Sequence, residues 1–203
     1  MPKQVDHDQR RDEIARAAVR VAAAQGLQRV SFREVAAEAG MSVALVQHYF
    51  GTKANLLGAM LDGCSTELGG RALQRISELG ADQGPLDRIS CIAAGFLPTD
   101  AGSRDAMSLY LSFAVAALTD RTLRGTQAFR DEEALRQLVA DELTQAQSAG
   151  CLIDGIDPST EARAVISMIL GLSLSVLLDA TTPADAVETV EAHLRAITRP
   201  GPR

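Results

Sequence analysis

Residues 31–53 read SFREVAAEAGMSVALVQHYFGTK. Three times in this stretch a hydroxyl residue precedes a short helical period: Ser31, Ser42 and Thr52. Such residues cap helices because their oxygen accepts from a backbone amide that the first turn leaves unpaired. Ser31 is followed by Glu34, the S-x-x-E spacing of a capping box. Gly40 stops the first segment and tolerates the positive φ of a tight turn. The segments on either side are about two turns long, too short to stand alone. They need a supporting helix. Ala36 is small where two helices cross, and Val35, Met41, Val46 and Phe50 are the apolar pins. Two short helices at a steep angle across a glycine turn make a helix-turn-helix.

Upstream, RRDEIARAAVRVAAAQG (10–26) puts Ile14, Ala17, Ala18 and Val21 on one stripe and stops at Gly26, which supplies the supporting helix. Downstream, TKANLLGAMLDGCSTEL (52–68) turns Leu56, Leu57, Met60, Leu61 and Cys64 inward. Further helices are expected over 84–98, 103–119 and 123–150, the last ending at Gly150. Asp157-Pro158 opens another that runs to about Leu178, with Asp as the cap and Pro in the first turn. The last covers 182–197, and the tail TRPGPR is expected to fray. No alternating strand pattern is legible. The expected fold is all-α with about nine helices: an N-terminal helix-turn-helix domain over residues 1–55 and a larger helical body over 56–203.

Composition narrows the class. The chain is 46% hydrophobic and 23% charged, enough to bury a core and unlike a disordered chain. Cys64, Cys91 and Cys151 are odd in number and show no CxxC or Cys/His grouping, so neither a disulfide framework nor a metal site is expected. The polar start MPKQVDHDQRRDE has no apolar signal region, and the apolar stretch 164–178 is short and serine-dotted for a membrane span. A reduced cytoplasmic setting follows as the expectation. Residues 1–55 hold eight basic and six acidic side chains, whereas 56–203 hold twelve and twenty. An acidic chain with a basic end presents that end to nucleic acid.

With the turn, caps and pins in place, the first part of the chain resembles the DNA-binding domain of the TetR family of bacterial one-component transcriptional regulators. The likeness rests on Ser31, on VAAEAGMS, on YFGTK and on Leu56-Leu57, and covers about residues 10–57. LYLSFAVAALTDRTLR, the helix ending AQSAG, and DPSTEARAVISMILGLSLSVLLD resemble the C-terminal domain of the BetI-like branch. Family members often carry Tyr where Gln47 stands and a small or polar residue where Leu45 stands, so no operator sequence is carried over.

Roles follow from the frame. The N-terminal end of the second helix of the motif enters the major groove. Val43 and Ala44 suit a thymine methyl, and Gln47 can pair bidentately with adenine. His48 and Tyr49 are placed for phosphates, Arg33 for a guanine or a phosphate, and the hydroxyls of Ser31, Ser42 and Thr52 for the backbone. Lys53 is a cation in a first helical turn, against the helix dipole, which a phosphate docked beside Thr52 explains. His7, in the polar start, and His193, on a solvated face, receive no role.

The body is expected to bind a small-molecule effector. Met60, Cys64, Phe96, Met107, Tyr110, Phe113, Phe129 and Met168 are candidate lining residues, although apolar side chains on helices are more often plain core. The scarcity of aromatics, five Phe, two Tyr and no Trp, argues against an aromatic cage for a quaternary ammonium ligand. The helix ARAVISMILGLSLSVLLDA is apolar almost all round and calls for cover on two sides. A homodimer would supply it through Ile166, Ser167, Leu170, Gly171, Leu174, Leu178, Val187, Val190 and Leu194, giving the intersubunit four-helix bundle that the resemblance implies. No catalytic constellation, cofactor motif or metal-ligand pair is legible, so an enzyme is not expected. The expected function is a ligand-responsive repressor on a palindromic operator. The alternative is a helical carrier or interaction module without sequence-specific DNA binding.

Overall fold

The computed structural model describes the backbone of residues 2–80, 83–120, 123 and 127–199, and the side chains of these residues except 2–6, 128 and 129. Among the described residues there are nine α-helices: α1 (Pro2–Gln25), α2 (Phe32–Ala39), α3 (Val43–Phe50), α4 (Lys53–Ser77), α5 (Pro85–Phe96), α6 (Ala101–Thr119), α7 (Gln127–Ser148), α8 (Pro158–Leu177) and α9 (Pro183–Ala196). A 3-10 turn, Leu27–Arg29, joins α1 to α2. No strand occurs among these residues; Leu152 and Thr198 form one isolated antiparallel bridge.

The helices group into two compact units, Met1–Thr66 with Leu109–Arg130, and Glu67–Ser108 with Asp131–Arg203. The sequence places a functional boundary at 55/56, whereas the first break in compactness falls at 66/67, inside α4. A helix that continues through a boundary gives no local signal of it.

In the first unit, α1 packs on α2 and α2 on α3. The stripe Ile14, Ala17, Ala18 and Val21 is buried, as are Val35, Ala36, Val46 and Phe50. An ion pair from Arg20 Nε to Glu38 Oε1 at 2.6 Å joins α1 to α2 on the surface.

In the second unit, α5, α8 and α9 pack together around Ile89, Ile92, Val165, Ile169, Val176 and Val190, with Val139 and Leu143 of α7 in the same core. Arg88 grips the buried Glu142 bidentately, Nε to Oε1 at 2.8 Å and Nη2 to Oε2 at 2.6 Å. The backbones of α4 and α5 meet closely: a Cβ on Gly95 would lie 2.6 Å from Ala72 Cα. The first turn of α6 is tied on two sides. Arg71 of α4 donates to Asp100 at 2.5 Å, while Arg104 donates to the Val176 carbonyl and to Asp179 at the end of α8, each at 3.3 Å.

Several expectations change. The first helix reaches back to Pro2 rather than beginning near residue 10, and its polar start shows no apolar stripe that periodicity could detect. α4 passes Gly69 and Gly70 and ends at Ser77. Each glycine costs about 1 kcal/mol against alanine in a helix. Buried Leu68 and Ala72, and Ile76 packed on the core, recur at every fourth residue and carry the helix across. Part of the tail is held: Arg199 donates to the Cys151 carbonyl at 2.7 Å and pairs with Asp154. His193 is half-buried rather than solvated, its Nε2 2.5 Å from Glu161 Oε1 of α8. α8 starts before the apolar stretch 164–178 and is, by length and composition alone, long enough to cross a membrane. One of its faces, with Ala162, Val165, Ile169 and Val176, lies in the core of the second unit.

Candidate nucleic-acid interface

The motif is built by its ends. Ser31 Oγ accepts from the Glu34 amide at 3.2 Å and starts α2. Gly40 closes it with φ 65° and ψ 31°. The Gly40 amide reaches the Ala37 carbonyl at 3.3 Å and the Met41 amide reaches the Ala36 carbonyl at 2.9 Å, the paired bonds of a Schellman stop. One residue later Ser42 Oγ accepts from the Leu45 amide at 3.1 Å and starts α3. The turn between the helices is thus made by a left-handed glycine, Met41 and a cap, as the spacing requires.

α3 then divides cleanly. Val46 and Phe50, four residues apart, are 0% and 2% exposed. Val43, Ala44, Gln47 and His48 are exposed on the other side, two pairs at i, i+4 spacing. Val43 is 44% exposed. Leu45 and Tyr49 are half-buried at the edges. The Tyr49 ring lies 4.6 Å from the His7 ring and 5.9 Å from that of His48.

The end of α3 and the start of α4 are one construction. Gly51, at φ 66°, donates to the Gln47 carbonyl at 2.7 Å. Thr52 Oγ1 accepts from the Asn55 amide at 3.1 Å and caps α4. Lys53 is the first helical residue, exposed and without an ion-pair partner among the described residues. Arg33 is exposed on α2. Each cap uses its oxygen as acceptor, which leaves the hydroxyl proton of Ser31, Ser42 and Thr52 to donate. All ten residues expected at the interface therefore fall within residues 31–53 in the first unit; eight are on α3, at its cap or at the adjoining start of α4, and Ser31 and Arg33 are at the cap and on the first turn of α2.

Three further residues belong to this assembly and escape a sequence reading. Arg11 Nη1 donates to the Tyr49 carbonyl at 3.1 Å with its guanidinium carbon 4.6 Å from the Phe50 ring centre. Asn55 Nδ2 donates to the Phe50 carbonyl at 2.9 Å. His7, given no role from the sequence, lies with its ring tilted against that of Tyr49.

Residues 14–60 match the family model for bacterial regulatory proteins of the tetR family, and residues 85–199, more than half of the chain, match the model for the C-terminal domain of BetI-type transcriptional repressors. The chain belongs to the TetR family. This TetR-family transcriptional regulator is 31% identical over 169 residues to the regulator BetI of Brucella anthropi, covering 77% of this chain and 84% of the relative. It is 27% identical over 180 residues to the regulator PksA of Bacillus subtilis, covering 88% and 84%. A crystal structure of a TetR-family regulator from Rhodococcus sp. superposes with a TM-score of 0.82 at 23% identity, covering 95% of this chain and all of the other, a likeness of fold. TetR-family regulators bind DNA, and the relatives matched are transcriptional regulators.

Elsewhere the candidate residues scatter. Of the expected pocket lining, Met60, Cys64, Tyr110 and Phe113 are buried in the first unit. Met107 is buried in the second unit, where Phe96 and Met168 pack half-buried against the core. The side chain of Phe129 lies outside the described residues. A polar groove of about 220 Å³ in the second unit, lined by Arg71, Gln74, Arg75, Glu78, Ala94, Gly95 and Thr99, shares no residue with that set. Of the expected dimer face, Ile166, Val190 and Leu194 are 5%, 1% and 4% exposed and sit in the chain's own core. Leu170 and Val187 pack against it half-buried. Ser167, Gly171, Leu174 and Leu178 are exposed at 4-3-4 spacing along α8.

Proposed function

We propose that this regulator is a dimeric, ligand-responsive repressor that reads a palindromic operator with α3. The observation that carries the proposal is the two-sided build of α3: an apolar pair buried beneath and Val43, Ala44, Gln47 and His48 exposed above, with the exposed cation Lys53 at the adjoining helix start. Gln47 reads an adenine edge, Val43 and Ala44 meet thymine methyls, and Ser31, Arg33, Ser42, His48, Tyr49, Thr52 and Lys53 hold the backbone. Repression is supported by the BetI-type repressor match over 85–199. The dimer forms through Ser167, Gly171, Leu174 and Leu178, whose small residues allow close approach and whose leucines, 49% and 70% exposed, gain cover. The protein acts on chromosomal DNA in the cytoplasm.

The effector is an unidentified small molecule held in the helical body, and its binding shifts α4. Two features support that coupling. α4 is continuous from the Lys53 start to Ser77, and Arg71 near its end is bonded to the cap of α6. A shifted α4 changes the spacing of the two α3 helices across the dimer, so they no longer fit successive major grooves.

Selection of genomic fragments bound by the full chain, followed by a salt series, tests the proposal. A steep fall of affinity with salt is expected. Lys53→Ala weakens binding to all sequences and makes the salt slope shallower by about one. Gln47→Ala narrows the gap between the selected fragment and random duplex, and equal losses on both would make Gln47 a phosphate contact.

A further inference from the structure

We infer that Arg11 and Asn55 form a clamp on the C-terminal end of α3 and are positioning residues for operator specificity, without touching a base themselves. The inference rests on the DNA-reading role of α3 proposed above.

α3 is eight residues long. An isolated helix of two turns does not persist in water, so its direction comes from what holds it. Its N-terminus carries the readers and must stay open. The holding therefore falls on the buried pair Val46 and Phe50 and on the C-terminal carbonyls, which have no helical donor of their own. Three of those carbonyls are taken up: Gln47 by the Gly51 amide at 2.7 Å, Tyr49 by Arg11 at 3.1 Å, and Phe50 by Asn55 at 2.9 Å and the Thr52 amide at 2.6 Å. Two of the donors are side chains from the flanking helices, Arg11 of α1 and Asn55 of α4. They approach the end of α3 from different helices and so oppose its rotation.

Arg11 is suited to this place for two further reasons. A cation at a helix C-terminus is favoured by the dipole. Its guanidinium also lies by the face of Phe50, 4.6 Å from the centre, and so couples the carbonyl bond to the buried pin. Asn55 binds at both ends: its amide goes to the Thr52 cap of α4 and its side chain to the last carbonyl of α3. Movement at the start of α4 is thereby handed directly to α3.

The lever arm explains why specificity is what suffers. Eight residues span about 12 Å, so a tilt of about 10° at the held end moves the reading end by roughly 2 Å. A hydrogen bond tolerates about 0.5 Å. Contacts to bases at Val43, Ala44 and Gln47 fail and the Ser42 hydroxyl moves with them, while Arg33 on α2 and Thr52 and Lys53 at the start of α4 keep their hold on the phosphates.

The test uses the full chain, the selected genomic fragment and a random duplex of the same length. Arg11→Met, which keeps bulk and removes the donor, and Asn55→Ala are each expected to lower the ratio of specific to random affinity by about tenfold, the loss of a bond to one carbonyl. Affinity for random duplex falls far less, through the displaced Ser42 hydroxyl, the salt slope stays unchanged because no cation is lost from the phosphates, and Arg11→Lys, which retains a donor, recovers most of the ratio. Parallel losses on both duplexes with a salt slope shallower by about one would instead make Arg11 a phosphate contact and overturn the clamp. Unchanged ratios in both variants would overturn it too. If Arg11→Met melts below the assay temperature, Asn55→Ala, on an exposed residue, gives the same reading. A wild-type chain with no salt-sensitive DNA complex removes the DNA role of α3 itself, a failure seen before any variant is compared.

Discussion

α3 and α8 stay in place by different means. α3 has eight residues and two buried side chains, and its hydrogen-bonded anchors are at its ends: the Ser42 cap, the Gly51 stop and the donors Arg11 and Asn55. α8 has twenty residues and buries Ala162, Val165, Ile166, Ile169, Ser173 and Val176 along its length. A helix held along its surface loses little direction when one polar contact goes. A helix held by its ends can be re-aimed by a single hydrogen bond. α3 is of the second kind, which makes it sensitive to the segments on either side.

Three substitutions can break or sharpen this contrast. Ile169→Ala in α8 removes a side chain that is 2% exposed, and a loss of about 2–5 kcal/mol is expected. Urea unfolding would show the loss, while the ratio of operator to random binding stays as in the wild type; a changed ratio would mean that α8 packing also aims α3. Gly40→Ala comes next. The added Cβ meets nothing within 4 Å, so the cost is that of a left-handed alanine at φ 65°, about 1–2 kcal/mol. Although less destabilising, it should lower the operator ratio where Ile169→Ala does not, because it alters the turn that starts α3. The smallest effect belongs to Asp157→Asn at the start of α8. Hydrogen bonds from the Thr160 hydroxyl and amide hold the Asp157 carboxyl below the usual carboxylate range. A carboxyl lowered on folding adds stability above its unfolded pKa, about 3.9, and that stability is lost as pH falls through the folded value. Asparagine caps nearly as well and does not titrate. Stability near neutral pH should hardly change, and the urea midpoint should fall less steeply below about pH 4 in the variant than in the wild type.

The same contrast governs how much the sequence disclosed. Caps, stops and turns are local, so Ser31, Gly40, Ser42, Thr52, Asp157 and Thr182 mark the ends of their helices as the residues alone suggest. The exposed side of α3 was legible because a helix-turn-helix fixes which side of that helix faces outward. Contacts distant in sequence left no trace. Arg11 meets a carbonyl 38 residues away, and nothing in RRDEIARAA distinguishes it from its neighbours. Val190 and Leu194 look like any apolar face; α9 packs on α5 and α8 in one chain, which puts them in the core rather than on the outside. Residues of an effector cavity lack even that signal, since core and cavity draw on the same side chains.

The tail has a consequence for the motion of the last two helices. Residues 151–154 lead towards α8 and residues 197–199 follow α9, and the two stretches are stitched by the Ile153 amide on the Ile197 carbonyl at 3.0 Å, the Arg199 amide on the Cys151 carbonyl at 2.7 Å and the Arg199–Asp154 pair. The α8–α9 hairpin is thus buckled at its open mouth as well as joined at its bend. Two rods fastened at both ends cannot scissor; they slide or roll as a single plank. Any rearrangement at the exposed face of α8 has to carry α9 with it.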